Sequence, residues 1–337
     1  MSLKKPGIPF SILDLAVVTE GSSITGAISN SRDLAIQAED LGYNRFWMAE
    51  HHNMENIASS ATSVLLGHIA EATTKIRVGS GGVMLPNHSP LVIAEQFGTL
   101  ASIYPGRIDL GLGRAPGTDQ VTANAIRNDR MQQVQKFPKH IKQLQQYLST
   151  ENSTAAVRAF PGEGTEIPIW ILGSSTDSAF LAAELGLPYA FASHFAPQQL
   201  MPAIQLYRRH FKPSKQLDSP YIMPLVNIIA SETDEQAEYL STSMKQMFMG
   251  VITGERKPMP PPVDDMDSIW NEHVKYGVNQ MLTYSFIGSK ETIEKDVNHF
   301  IDQTGADEIM IASYIYDHNE RVKSHRLFSE VMNATIA

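Results

Sequence analysis

The stretch Arg45-Phe-Trp-Met-Ala-Glu-His-His-Asn53 decides how this chain is read. It opens as a short apolar run, the composition of a strand buried on both faces of a parallel sheet. It then breaks into three consecutive titratable side chains, Glu50, His51 and His52. A strand end that turns from core residues to ionisable ones is where α/β proteins place their chemistry. Imidazole, with an unperturbed pKa of roughly 6.5, suits proton transfer near neutrality. The alternative is a polar loop without a role.

Outward from this stretch the same alternation repeats. Strands are predicted over residues 8–15, 45–49, 76–79 and 108–113. Between them lie helices over 31–41, capped by Asn30 or Ser31 and ended by Gly42, over 59–72, and over 90–104 with Pro90 in the first turn. The order β-α-β-α-β-α-β implies a parallel sheet with right-handed crossovers. Further on, residues 131–148 read as a solvent-facing helix rich in Gln and Lys, and 151–166 as an irregular insertion. Strands follow at 167–172, 188–192, within 223–230 and at 308–313, with helices at 176–185, 197–211, after the Thr233 capping box, and at 319–332. Residues 280–286 have an extended pattern, but Ser289 caps a helix leading to the last strand, and setting 280–286 aside leaves eight strands. The expected fold is α/β: a single (β/α)8 TIM barrel over 1–337, with insertions near 151–166 and 250–278. A two-domain split near residue 155 is the alternative.

Composition narrows the function. The 337 residues are 42% hydrophobic and 19% charged, an ordinary globular balance. The charge of −9, with no basic block, argues against nucleic acid or an anionic membrane as partner. Without cysteine there is no disulfide, thiolate nucleophile or Cys-based metal site. No apolar run reaches the roughly 18–20 residues of a membrane span, and the cytoplasm is the expected location. His51 and His52, being adjacent on an extended segment, point apart and do not chelate one ion, so no metal is expected.

On a barrel, the loops after the strands converge on one face. Residues 50–53, 80–88, 114–119, 173–178 and 193–194 are polar segments of this kind. Gly79-Ser-Gly-Gly-Val-Met-Leu-Pro-Asn-His88 sets three glycines after a strand, suited to a flat or phosphorylated ligand, or to a tight turn for its own sake. Leu112-Gly-Arg-Ala-Pro-Gly117 puts Arg114 just past a strand, where a guanidinium can grip phosphate; an ordinary surface arginine is the alternative. Leu172-Gly-Ser-Ser-Thr-Asp-Ser178 is a strand, a glycine and a hydroxyl-rich helix start, a ready phosphate site or simple capping.

Taken together and in order, Ala49-Glu-His-His-Asn, the glycine motif at 79–86, Ile108-Asp-Leu-Gly-Leu-Gly-Arg-Ala-Pro-Gly, Leu172-Gly-Ser-Ser, Ala190-Phe-Ala-Ser-His-Phe-Ala-Pro and Ala306-Asp-Glu-Ile-Met resemble the bacterial-luciferase-like flavin monooxygenases, in particular their single-subunit bacterial subgroup. The resemblance runs through essentially the whole chain. It implies a barrel that binds reduced FMN at the C-terminal ends of its strands and, through a flavin C4a-peroxide, uses O2 to oxygenate a small organic substrate. His51 matches the family's active-site histidine. Gly81 and Gly82 match a non-proline cis peptide beneath the flavin ring. Arg114 with Gly173, Ser174 and Ser175 matches the phosphate site, and the loop from Phe191 through Ser193 to His194 matches a wall against the ring. Two departures are Gly173 in place of a carboxylate and Gly113 in place of a cysteine, and the second argues against light emission. The chain shows no Gly-x-Gly-x-x-Gly fingerprint, which points to a separate flavin reductase. The resemblance also implies a homodimer. A deazaflavin-dependent dehydrogenase on the same barrel and a flavin-binding protein without turnover are the alternatives.

Overall fold

The computed structural model describes residues 7–334, so both ends of the expected 1–337 span lie outside the described residues. Among the described residues there are ten strands: β1 (Phe10–Asp14), β2 (Arg45–Met48), β3 (Arg77–Ser80), β4 (Val83–Met84), β5 (Ile108–Gly113), β6 (Ile169–Gly173), β7 (Tyr189–Phe191), β8 (Ile222–Ala230), β9 (Ser285–Gly288) and β10 (Ile309–Ala312). Eight of them close a parallel ring in the order β1-β2-β3-β5-β6-β7-β8-β10. The closure is made by Met310 against Leu225 and by Ile12 against Ile311. The eight ring strands are the eight expected from the sequence.

The ring strands are buried on both faces over most of their length. Trp47, Trp170, Met223, Leu225 and Met310 fill the barrel, with the two indoles edge to face at 5.1 Å. Alternate residues such as Ile12, Phe46, Val78, Ile108 and Ile171 face outward into the layer shared with the helices. The helices are α1 (Ile24–Asp40), α2 (Thr62–Ala72), α3 (Pro90–Ile103), α4 (Gln120–Ile126), α5 (Arg130–Gln135), α6 (Phe137–Leu148), α7 (Thr176–Leu185), α8 (Leu200–His210), α9 (Asp234–Thr253), α10 (Glu272–Met281), α11 (Lys290–Thr304) and α12 (His318–Ala334). Among the described residues none is long and apolar enough to cross a membrane.

At the N-terminal end of the ring, charges close the barrel floor. Arg45 reaches Glu308 at 2.9 Å and Asp109 at 2.8 Å, while Arg77, Trp47 and Tyr221 donate to the same two carboxylates. Both carboxylates are fully buried and fully bonded, as an ion pair in low dielectric requires.

Several elements differ from expectation. α1 begins at Ile24, capped by the Ser23 hydroxyl accepting from the Gly26 amide at 3.0 Å, about two turns before Asn30. The helix expected as solvent-facing over 131–148 is two helices, and α6 buries Phe137, His140, Ile141, Leu144 and Leu148, packing against α3. Its exposed Gln and Lys hid a buried stripe. Residues 285–288, within and just beyond the segment set aside, do form a strand: β9 pairs with the C-terminal half of β8, outside the ring. The insertion at 250–278 is tied down, since the Met259 amide donates to Val18 and the Glu20 amide to Met259, at 2.9 and 2.8 Å.

Candidate active site

Past β2 the chain leaves the barrel wall at Ala49, and Glu50 turns back into the protein, 2% exposed. Its carboxylate accepts from His52 Nε2 at 2.9 Å, His88 Nε2 at 2.9 and 3.0 Å, the Met84 amide at 3.0 Å and Asn87 Nδ2 at 3.3 Å. A carboxylate only accepts, so both imidazoles present a protonated Nε2 to it. Burial alone would raise the Glu50 pKa; the His52 and His88 bonds and the Met84 amide outweigh it and hold the group at about 2. Asn87 also donates to the Pro116 carbonyl at 3.1 Å and accepts from Arg130 Nε at 2.9 Å, and Arg130 donates to the Arg114 carbonyl at 2.8 Å. One buried carboxylate thus ties together the segments that follow β2, β3 and β5.

His51 lies on the other side of this turn. Its amide donates to the Ser59 carbonyl at 3.0 Å and its Nδ1 lies 3.2 Å from the Gly117 carbonyl. That carbonyl can only accept, so Nδ1 carries the proton and Nε2 presents a lone pair. Burial lowers the His51 pKa, the Gly117 bond opposes this, and the nearby charge of Arg256 adds to the lowering. Gly117 has a φ of +68°, and a Cβ on it would stand 2.7 Å from the Glu50 carbonyl, so glycine is what lets this loop approach.

The next stretch of wall lacks side chains. The Gly81–Gly82 peptide is cis. A Cβ on Gly79 would stand 2.6 Å from Trp47 Nε1, on Gly81 2.5 Å from Leu13 Cδ1, and on Gly111 2.1 Å from the Ser80 carbonyl. β3 and β5 therefore pass close to their neighbours with bare backbone.

Beyond them, β6 ends at Gly173 and runs through Ser174 into α7. The Ser175 hydroxyl caps that helix with a long 3.4 Å bond from the Ser178 amide. Ser178 Oγ bonds the Ser175 carbonyl at 2.7 Å and Tyr189 Oη at 2.9 Å, filling the space where a Cβ on Gly173 would sit. Arg114, half exposed, has its nearest carboxylate, Asp177 in the first turn of α7, at 3.9 Å. The arginine and the helix start expected to act together are thus neighbours.

The end of β7 departs in part from expectation. Phe191 is completely buried with Tyr189 in the layer facing the helices, its ring 6.1 Å from the tyrosine's, so it does not line the barrel interior. Alternation along the strand turns Ala190 inward and Phe191 outward. Ser193 is fully buried and donates to the Leu225 carbonyl at 2.6 Å. His194, 5% exposed, has its pKa pushed down to about 3 by burial and by the neighbouring His51, and its Nδ1 has no hydrogen-bond partner among the described residues.

The sequence reading quoted Asn87, His88 and Gly117 inside its motifs without giving them a role, and it missed Arg130 and Arg256. Those two are recruited by loops whose course is not periodic.

A closed parallel barrel with these polar groups gathered at the C-terminal ends of its strands defines an enzyme of the (β/α)8 class. The chain belongs to the luciferase-like monooxygenases, whose family profile matches residues 8–308, and it is an oxidoreductase of the oxygenase type. It is 52% identical over 324 residues to a luciferase-like monooxygenase of Escherichia coli K12, covering 96% of this chain and 97% of that one. It is 32% identical over 333 residues to the N-acetyl-S-alkylcysteine monooxygenase of Bacillus subtilis, covering 97% and 99%. The crystal structure of apo-MsnO8 superposes with a TM-score of 0.87 at 33% identity, over 97% of this chain and 98% of that one.

Proposed function

We propose that the protein is an FMN-dependent monooxygenase that takes reduced flavin from a separate reductase and oxygenates a small organic substrate with O2. The observation that carries this reading is His51: an imidazole in the loop after β2, anchored through Nδ1 on the Gly117 carbonyl of the loop after β5 and biased by burial to its neutral form.

The residues suit the cofactor. Arg114, with no carboxylate closer than 3.9 Å, and the loosely capped start of α7 both have capacity for a phosphate. The wall without side chains and the buried, unpartnered Nδ1 of His194 suit a flat ring bearing heteroatoms. When bound, reduced FMN supplies the two electrons with which one atom of O2 enters the substrate and the other leaves as water. The chain's part is to hold and to exclude. Arg114, Gly173, Ser174 and Ser175 would hold the phosphate, Gly81, Gly82 and the backbone at Ser193 would hold the ring, and Phe191 braces that strand from outside. His51 Nε2 takes and returns a proton at the reacting centre, and the loops joined by Glu50 shield it from water. The Bacillus relative's name is in keeping with a small organic substrate. A cytoplasmic homodimer completes the reading, with twice the 37.3 kDa chain mass expected in light scattering.

The test is anaerobic titration with reduced FMN, followed by mixing with O2 in a stopped-flow spectrometer. Tight binding and an absorbing species that outlives free reduced flavin are expected. Tight binding without that species would identify a carrier, and binding of reduced deazaflavin in place of FMN a dehydrogenase.

A further inference from the structure

The segment that follows α9 brings an exposed cation, Arg256, over the loops at the barrel mouth, with no carboxylate within ion-pair distance among the described residues. α9 ends on Gly254 in the left-handed region, and Gly250 packs so closely that a Cβ would stand 2.4 Å from the Glu255 carbonyl. Three residues past Arg256, Met259 is 1% exposed and its backbone bonds Val18 and Glu20 in the loop after β1. Val18 in turn bonds Asn56, in the loop that carries His51. Arg256 is therefore held from both sides, over the loops of β1 and β2.

What it meets there is a poor partner. Its Nη1 lies 3.6 Å from Met54 Sδ, a weak, neutral acceptor, and among the described residues no carboxylate lies within ion-pair distance. The adjacent Glu255 is taken by Lys257 at 2.9 Å. The other arginines at this end of the barrel have oxygen partners: Arg127 on Asp129 and the His88 carbonyl, Arg130 on Asn87 and the Arg114 carbonyl, and Arg114 near Asp177. The charge of Arg256 also reaches the His51 imidazole. Met54 lies three residues past His51, so the cation rests on the loop that carries the proton-handling group.

We infer that Arg256 recognises the substrate, and that the substrate is a small molecule whose carboxylate this guanidinium holds over His51. The planar fork of arginine matches a carboxylate in two parallel hydrogen bonds. The one carboxylate already beside His51, that of Glu50, is satisfied by His52 and His88 and turned into the protein. The cofactor's phosphate does not compete for this cation, because Arg114 and Ser175 follow β5 and β6, with β3 standing between them and β2 in the ring. The carboxylate is a handle that the oxygenation leaves intact. The inference rests on the barrel mouth being the oxygenation site.

The test is calorimetric titration of the full chain with straight-chain alkanoates from butanoate to decanoate and with the matching primary amides. At least one alkanoate should bind roughly ten-fold or more tightly than its amide, the worth of one charge-assisted contact. Arg256→Met should bring that ratio close to one, Arg256→Lys should keep part of it, and the affinity for reduced FMN should be unchanged in both. No preference for any alkanoate, or a preference that survives in Arg256→Met, overturns the inference. So does a loss of FMN affinity in Arg256→Met, which would give the guanidinium to the cofactor. Failure of the wild type to bind reduced FMN would instead sink the proposed function, while the comparison of alkanoate with amide stays readable.

Discussion

Glu50 and His51 are adjacent in the chain and meet different surroundings. Glu50 points into the protein, where four donating groups hold its carboxylate ionised; its pKa of about 2 lies below the ordinary 4.5. A depressed carboxyl stabilises the fold above its unfolded pKa, and that stability is lost as pH falls from about 4.5 toward 2. The shift corresponds to on the order of 3 kcal/mol. Glu50→Gln should therefore unfold at lower urea than the wild type at pH 7, and the gap should narrow at pH 3. An equal gap at both pH values would show that the charge is not what stabilises the loops. The variant should also bind reduced FMN more weakly, because the tie between the segments after β2, β3 and β5 is cut. His51 is biased the other way, toward its neutral form, chiefly by burial. A base of this kind is ready at neutral pH and is lost on protonation. The acid limb of kcat/KM should therefore lie below the ordinary imidazole value of about 6.5. His51→Ala should lower turnover by roughly 10²–10⁴ while leaving FMN affinity in place. Unchanged turnover would remove His51 from the proton path.

At the scale of elements, function sits where strands stop. Gly173 is the last residue of β6, and the Ser178 side chain of the following helix occupies the place of its missing Cβ, with Oγ 2.1 Å away. Gly173→Ala must push Ser178 aside, breaking its bonds to the Ser175 carbonyl and Tyr189, and overpacking of this kind costs about 1–3 kcal/mol. The helix start should shift with it, and weaker binding of reduced FMN than in the wild type is expected; equal affinity would place the phosphate elsewhere. This junction was legible in the sequence because strand, glycine and capping hydroxyls are consecutive. The ring strands were legible for a similar reason: short apolar runs such as Ile108–Gly113, separated by helix-length spacers, leave few readings open. α6 was misread because its apolar positions, Phe137, Ile141, Leu144 and Leu148, are diluted by Gln and Lys. β9 was passed over because its pairing uses only the far half of β8, beyond the point where the ring has closed. Of the partners of Glu50 only His52 is local; Met84, Asn87 and His88 come from 34 to 38 residues away, and nothing beside Glu50 in the sequence announces that they meet it.

Across the whole molecule the two ends of the barrel hold charge for different purposes. At the C-terminal ends the groups keep open capacity: Nε2 of His51, Nδ1 of His194, and the guanidinium of Arg114. At the N-terminal ends Arg45, Arg77, Asp109 and Glu308 are matched to one another. Arg45 bonds Glu308 through two nitrogens at 2.9 and 3.0 Å and Asp109 through the third, and its guanidinium lies 4.7 Å from the centre of the Trp170 ring. This end joins β2, β5 and the start of β10 across the barrel, so it acts on closure of the ring and not on the ligand. Arg45→Met keeps much of the side-chain volume but leaves two fully buried carboxylates without their shared partner, and breaking a buried pair in this way costs about 3–5 kcal/mol. Urea unfolding should register that loss in full. Reduced-FMN affinity, measured at low temperature where the variant is folded, should match the wild type, because the trunk of Trp47 and Trp170 separates the floor from the mouth. A fall in affinity parallel to the fall in stability would mean that floor and mouth are mechanically coupled, and that the glycine wall owes its position to the charges beneath it.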